Sequence, residues 1–236
     1  MAQHIGIVGC SPPGAALCYQ TICTERSTTD DEHTVSPEVT LHSHPFREYM
    51  RRIDLGDWQG VGQLMLSSAE NLAQLGANFC IVPCNTIHLA FEHMHSRLPL
   101  PCLHIAEEVA LEAKRQGFQR VALLGTRLLM ESRVYATEFE KAGIEWRIPD
   151  EDGRERIDRL IFDEMVRGIF TFEARTCLLQ IIEKLCADGC DAVGMCCTEL
   201  PMLLSQAEAP LPLLDSTKIL ALAALNRSDF GDPRSS

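Results

Sequence analysis

The sequence predicts an α/β protein of two pseudo-symmetric parallel-sheet domains related by internal duplication, with the active site in the cleft between them. Three observations predict it. An apolar run ending in glycine opens each half, Ile5-Gly6-Ile7-Val8-Gly9 and Arg120-Val121-Ala122-Leu123-Leu124-Gly125. A later apolar run in each half delivers a cysteine into a short polar motif, Ile81-Val82-Pro83-Cys84-Asn85-Thr86 and Gly194-Met195-Cys196-Cys197-Thr198-Glu199, at nearly the same distance from the opening glycine. A Leu-Pro pair then precedes a short apolar run and a helical pattern, at Leu100-Pro101 and at Leu211-Pro212.

Each element follows from local pattern. Residues 4–9 read as a strand and 15–23 as a helix, and the Ser/Thr/Asp/Glu-rich stretch 24–36 reads as a loop before a strand near 39–42. Residues 57–75 read as a helix because Val61, Leu64, Met65, Leu72 and Leu75 share one face, and Gly76 stands where helices end. The strand at 79–83 is apolar at successive positions, as a central parallel strand covered on both faces should be. A helix at 88–96, a strand at 102–105 and a helix at 106–115 complete the first half. The second half reads as a strand at 120–125, helices near 129–142, 154–167 and 172–187, and a strand at 192–195. These patterns place a first domain at 1–115, a second at 116–215, a C-terminal helix at about 216–226 returning to the first, and a frayed polar tail at 227–236.

The bulk composition narrows the function. The 236 residues carry 21 Lys and Arg against 33 Asp and Glu, a formal charge of −12, which argues against nucleic acid or an anionic membrane surface as a partner. No run approaches the roughly 18 apolar residues of a membrane span, and the first residues lack a basic, apolar leader, so a cytoplasmic setting is expected. The 11 cysteines are odd in number and lack the spacing of a secreted disulfide framework, so they are expected to be reduced thiols.

In parallel α/β domains, ligands gather at the carboxyl ends of the strands. Cys10-Ser11, Cys84-Asn85-Thr86, His104, Thr126, Cys197-Thr198-Glu199 and Asp215 all fall at such ends. One reactive cysteine would suggest a covalent nucleophile, whereas two in equivalent places suggest an acid and a base on opposite sides of one carbon. A helix N-terminus after each cysteine would favour the thiolate. The four lysines (Lys114, Lys141, Lys184, Lys218) avoid the strand ends, so no pyridoxal cofactor is expected. His88, His93 and His95 have no carboxylate or cysteine at matching ligand spacing, so no metal site is expected.

Pro83-Cys84-Asn85-Thr86-Ile87-His88 and Cys197-Thr198-Glu199-Leu200, together with His104-Ile105-Ala106 and the strand at 120–126, resemble the cofactor-independent aspartate/glutamate racemase superfamily, most closely its aspartate racemase branch. The resemblance spans roughly residues 4–225. It implies a two-domain fold, a homodimer, an acidic amino-acid substrate, and racemisation by two opposed cysteines without cofactor. Cys197 would deprotonate the L-enantiomer and Cys84 the D-enantiomer, with Asn85, Thr86 and Thr198 at positions that hold the α-carboxylate or amino group. Glu164 resembles a glutamate of related racemases, and His88 is expected to steady the Cys84 loop.

The chain departs from the family at Gly9-Cys10-Ser11-Pro12-Pro13-Gly14, where Ser11 replaces a substrate-contacting methionine. Cys196 stands where a glycine is usual, and Arg167 is the cation nearest the position of a lysine found in some relatives. Arg47, followed by Arg51 and Arg52, is the first choice to grip a distal carboxylate. Cys10, His88, His104 and Glu199 are expected behind the substrate-contacting groups, and the remaining thiols are expected to be buried apolar filler. A hydantoin racemase, a maleate isomerase and an inactive amino-acid-binding relative are the alternatives.

Overall fold

A computed structural model describes residues 2–25 and 37–230. The chain divides into two compact units, Met1–Ile105 with Thr217–Ser236, and Ala106–Ser216. Most of the expected polar loop and the last six residues lie outside the described residues.

The first unit runs β1 (Ile5–Gly9), α1 (Pro12–Glu25), β2 (Val39–Ser43), α2 (Phe46–Asp54), α3 (Trp58–Gln74) and β3 (Phe79–Ile81), followed by a 3₁₀ helix at Thr86–His93 and β4 (Cys102–Leu103). Its strands are all parallel, in the order β2-β1-β3-β4, with Ile7 opposite both Leu41 and Ile81. Alternation splits the central strands between two cores. Ile5, Ile7, Phe79 and Ile81 pack with Cys18 and Ile22 of α1, while Val8, Cys80 and Val82 pack with Val61, Met65 and Leu72 of α3. Both faces are apolar because helices cover both. Asp57 caps α3 by accepting from Gly60 N–H, and Gly76 ends that turn at φ +88°, a left-handed conformation that costs a residue without Cβ little.

The second unit repeats the plan. After α4 (Ile105–Gln116) come β5 (Arg120–Leu124), α5 (Arg127–Met130), α6 (Val134–Ala142), β6 (Glu145–Arg147), α7 (Glu151–Arg159), α8 (Phe172–Ala187), β7 (Ala192–Met195), α9 (Leu200–Leu203) and β8 (Leu213–Asp215), and the chain then enters α10 (Ser216–Phe230), which counts with the first unit. The order β6-β5-β7-β8, again all parallel, is that of the first sheet. Ala122, Leu124, Val193 and Met195 bury one face against Ile157, Leu178 and Ile182.

Several boundaries differ from expectation. The first domain was expected to end at residue 115, but α4 counts with the second unit from Ala106 onward. The helix after the last strand of each sheet belongs to the other unit, and the sequence reading allowed this exchange for α10 alone. The tail from Arg227 is not frayed up to residue 229. Ser228 Oγ donates to Gln3 O at 2.8 Å, Gln3 N–H donates back to Ser228 O, and the Arg227 guanidinium lies over the Phe79 ring. β6 was not anticipated, since Glu-Trp-Arg is too short and charged to signal a strand, and α2 buries only Tyr49 completely. The helix at 129–142 is broken where the Ser132 hydroxyl takes the Leu129 carbonyl, and the one expected at 154–167 is helical from Glu151 but passes through a π turn at Leu160–Glu164 and a 3₁₀ turn at Met165–Arg167.

Candidate active site

The first motif leaves β3 through a tight turn in which Cys84 N–H donates to Val82 O at 2.9 Å, leaving the thiol half-buried. Asn85, 3% exposed, takes helical dihedrals and leads into the 3₁₀ helix that begins at Thr86. The turn is fastened from behind by His88. Its Nδ1–H donates to Cys84 O at 2.9 Å and its Nε2 accepts from Ile105 N–H at 3.5 Å, so the ring is used on both sides as the neutral tautomer. Burial, and then the neighbouring His104, hold its pKa well below the usual histidine value. His104 meets His88 edge to face at 4.6 Å and Phe91 at 4.9 Å, so it belongs to this aromatic support.

A buried phenol approaches the same turn from α2. Tyr49 is fully buried, its side chain faces Ser68, Cys10 and Cys84, and its Oη meets no partner at bonding geometry. Burial raises its pKa far above the usual tyrosine range, so it stays protonated. Ser68 is oriented in turn: Asn71 Nδ2 donates to His42 Nε2 at 3.1 Å, which leaves His42 Nδ1–H to donate to Ser68 Oγ at 3.0 Å. This series was missed in the sequence. Its only signal was a tyrosine in a mostly charged helix.

The second motif leaves β7 beneath Gly125. A Cβ at Gly125 would lie 2.9 Å from Cys196 O, so glycine at this strand end lets the cysteine loop approach β5, and Cys196 N–H donates to Leu124 O at 2.7 Å. Cys196 turns inward, 1% exposed, and burial pushes its thiol up to about 12. Cys197 points the other way and is half-buried. Its Sγ–H donates to Glu199 Oε2 at 3.0 Å, and Thr198 Oγ1–H donates to the same oxygen at 2.7 Å. Glu199 was expected behind the site, yet it bonds the thiol directly.

The helix-terminus argument for the thiolates needs correction. The helix after Cys197 is α9, a single turn of four residues, and the one after Cys84 is 3₁₀, so neither supplies the dipole of a long α-helix. The Glu199 carboxyl group lies within bonding distance of the Cys197 thiol.

The remaining candidates make the following contacts. Ser11 is 9% exposed and caps α1, its Oγ accepting from Gly14 N–H at 3.4 Å, and Cys10 is 2% exposed within the core. Arg47 is on the exposed face of α2, whereas Arg52 is paired with Asp57 at 2.7 Å. Glu164 closes the π turn and accepts from the Thr171 hydroxyl at 3.0 Å, and Arg167 is exposed. Among the described residues no group of three His, Cys, Asp or Glu is arranged to hold a metal, and no helix is long and apolar enough to cross a membrane.

Comparison with known proteins matches this chain and its fold to one family. The Asp/Glu/hydantoin racemase family model covers residues 7–224. A broad-specificity amino-acid racemase of Bacillus subtilis (strain 168) is 25% identical over 191 residues, 80% of this chain and 81% of the relative. A Yersinia pestis protein assigned as an Asp/Glu racemase superposes with a TM-score of 0.86 at 32% identity, covering 96% of this chain and 99% of that one. An aspartate racemase homologue from Pyrococcus horikoshii OT3 gives 0.82 at 25% identity, with coverage of 96% and 99%. The fold is thus shared with solved relatives over nearly their whole length, and the chain belongs to the Asp/Glu/hydantoin racemase family as an amino-acid racemase, an isomerase.

Proposed function

We propose that the protein interconverts L- and D-aspartate, with glutamate as the second substrate, by a two-base thiol mechanism without cofactor. The observation that carries this reading is the placement of Cys84 and Cys197 at matching strand ends of two sheets with the same strand order. One sulfur removes the α-proton and the other returns a proton to the opposite face, which inverts the stereocentre. Cys197 serves the L-enantiomer and Cys84 the D-enantiomer. Asn85, Thr86 and Thr198, polar groups adjoining the two sulfurs, hold the α-carboxylate and amino group, and Arg47 takes the distal carboxylate. Glu164 is assigned to the amino group. The reading includes a homodimer in the cytoplasm.

The experiment is chiral chromatography of the purified chain with each of L- and D-aspartate, glutamate and a set of neutral amino acids. Aspartate should reach the racemic mixture from either side and faster than any other. Ser11 at the departing first loop and the exposed position of Arg47 favour a second reading, a broad-specificity racemase like the Bacillus relative. Under that reading neutral amino acids racemise at least as fast as aspartate. No racemisation of any of them would overturn both.

A further inference from the structure

Cys84 and Cys197 occupy equivalent places in their sheets but differ in surroundings. At Cys197 two donors converge on one carboxylate oxygen, the thiol at 3.0 Å and the Thr198 hydroxyl at 2.7 Å, and Glu199 is 5% exposed. A carboxylate only accepts, so with Glu199 in that form the bond carries its proton on sulfur. A carboxylate in that place makes a strong, charge-assisted bond, and its negative charge opposes a second one on the thiol it touches. The groups described around the Cys84 turn are of another kind, a neutral histidine and a protonated phenol.

Resting on the two-thiol reading above, we infer that Glu199 is a positioning residue that keeps the proton on Cys197 in the resting protein, so that Cys197 begins the cycle as the acid and Cys84 as the base. The steps balance. The Cys84 thiolate takes the α-proton, the C–H electron pair stays on the α-carbon, and Cys197 S–H gives its proton to the other face. Cys84 is then the thiol and Cys197 a thiolate beside Glu199. Two adjacent anions make this form the less stable one, and it returns to rest by exchanging protons with water.

The other titratable groups described nearby are Tyr135 of α6 and, at the strand ends, Cys196 and Asp215, which face one another. Burial holds the first two protonated near neutrality.

Thiolates can be counted directly with iodoacetamide. The full chain, without substrate, is labelled between pH 6 and 9, and the rate at each cysteine is read by peptide mass mapping. In the wild type Cys84 should react faster than Cys197, because both cysteines are partly exposed and the thiolate is the form that reacts. Glu199→Gln keeps shape and removes charge, and should speed labelling of Cys197 by roughly tenfold at pH 7, the change in thiolate fraction for one pKa unit, while Cys84 is unaltered. Glu199→Asp keeps the charge and should leave Cys197 slow. An equal Cys197 rate in the wild type and Glu199→Gln would overturn the inference, as would Cys197 outpacing Cys84 in the wild type, a comparison that needs no variant. Labelling does not require turnover, so the result separates this inference from the racemase reading: an inactive protein with a slow Cys197 would refute only the latter.

Discussion

Replacing His88 by asparagine isolates one proton in the stability of the fold. The native ring is buried, donates from Nδ1 to the Cys84 carbonyl and accepts at Nε2, so it stays neutral and its pKa lies well below the ordinary value of 6.5. In the unfolded chain the same ring protonates near 6.5, so below that pH the unfolded state binds one proton more than the native state. The sign follows: stability is full above 6.5 and falls as pH drops, until the native pKa is reached. The slope for one proton is about 1.4 kcal/mol per pH unit, or about 2 kcal/mol between pH 6.5 and 5. For a chain of this size that is a fall in Tm of roughly 4–8 °C. His44, also lowered by burial and by His42, adds to the wild-type slope, so the informative quantity is a difference. His88→Asn retains a donor for the Cys84 carbonyl and cannot titrate. Urea denaturation of both proteins at pH 5, 6, 7 and 8 should show the wild type losing its advantage as pH falls, with curves converging below 6.5. Parallel curves across this range would refute the buried neutral histidine.

Gly125→Ala introduces a Cβ 2.9 Å from Cys196 O and 3.0 Å from Leu129 Cδ2, an overpacking that should cost about 1–3 kcal/mol and displace the Cys197 loop, so Tm and kcat should fall together. Ser228→Ala removes the bond to Gln3 O from a side chain 1% exposed, and should cost about 1 kcal/mol by chemical denaturation, while a frayed terminus would show no change.

What the sequence made legible was whatever has a period or a repetition. Val8, Cys80 and Val82 on one face and Ile5, Ile7, Phe79 and Ile81 on the other are a continuous apolar signal, and the duplicated glycine and cysteine motifs fixed two sheets and the positions of Cys84 and Cys197. What it hid depends on contacts across elements. Glu145-Trp146-Arg147 is a strand only because β5 offers an edge, with Val121 opposite Trp146. The exchange of α4 could have been argued from the duplication, since α10 was assigned that way. Tyr49 reaches the Cys84 turn from α2, a helix whose own sequence is mostly charged, and no local pattern announces it. The Cys197–Glu199 bond is only two residues long in sequence, yet it needs a turn rather than a helix at Thr198 to form.

The central claim is that two thiols act on one α-carbon from opposite faces, and deuterium exchange tests it most directly. Wild type, Cys84→Ser and Cys197→Ser are each incubated in D₂O with L- and with D-aspartate, and α-deuteration is followed by NMR beside the enantiomer ratio. Both variants should lose racemisation, with residual exchange confined to L-aspartate in Cys84→Ser and to D-aspartate in Cys197→Ser. Normal racemisation by either variant would contradict the two-base account.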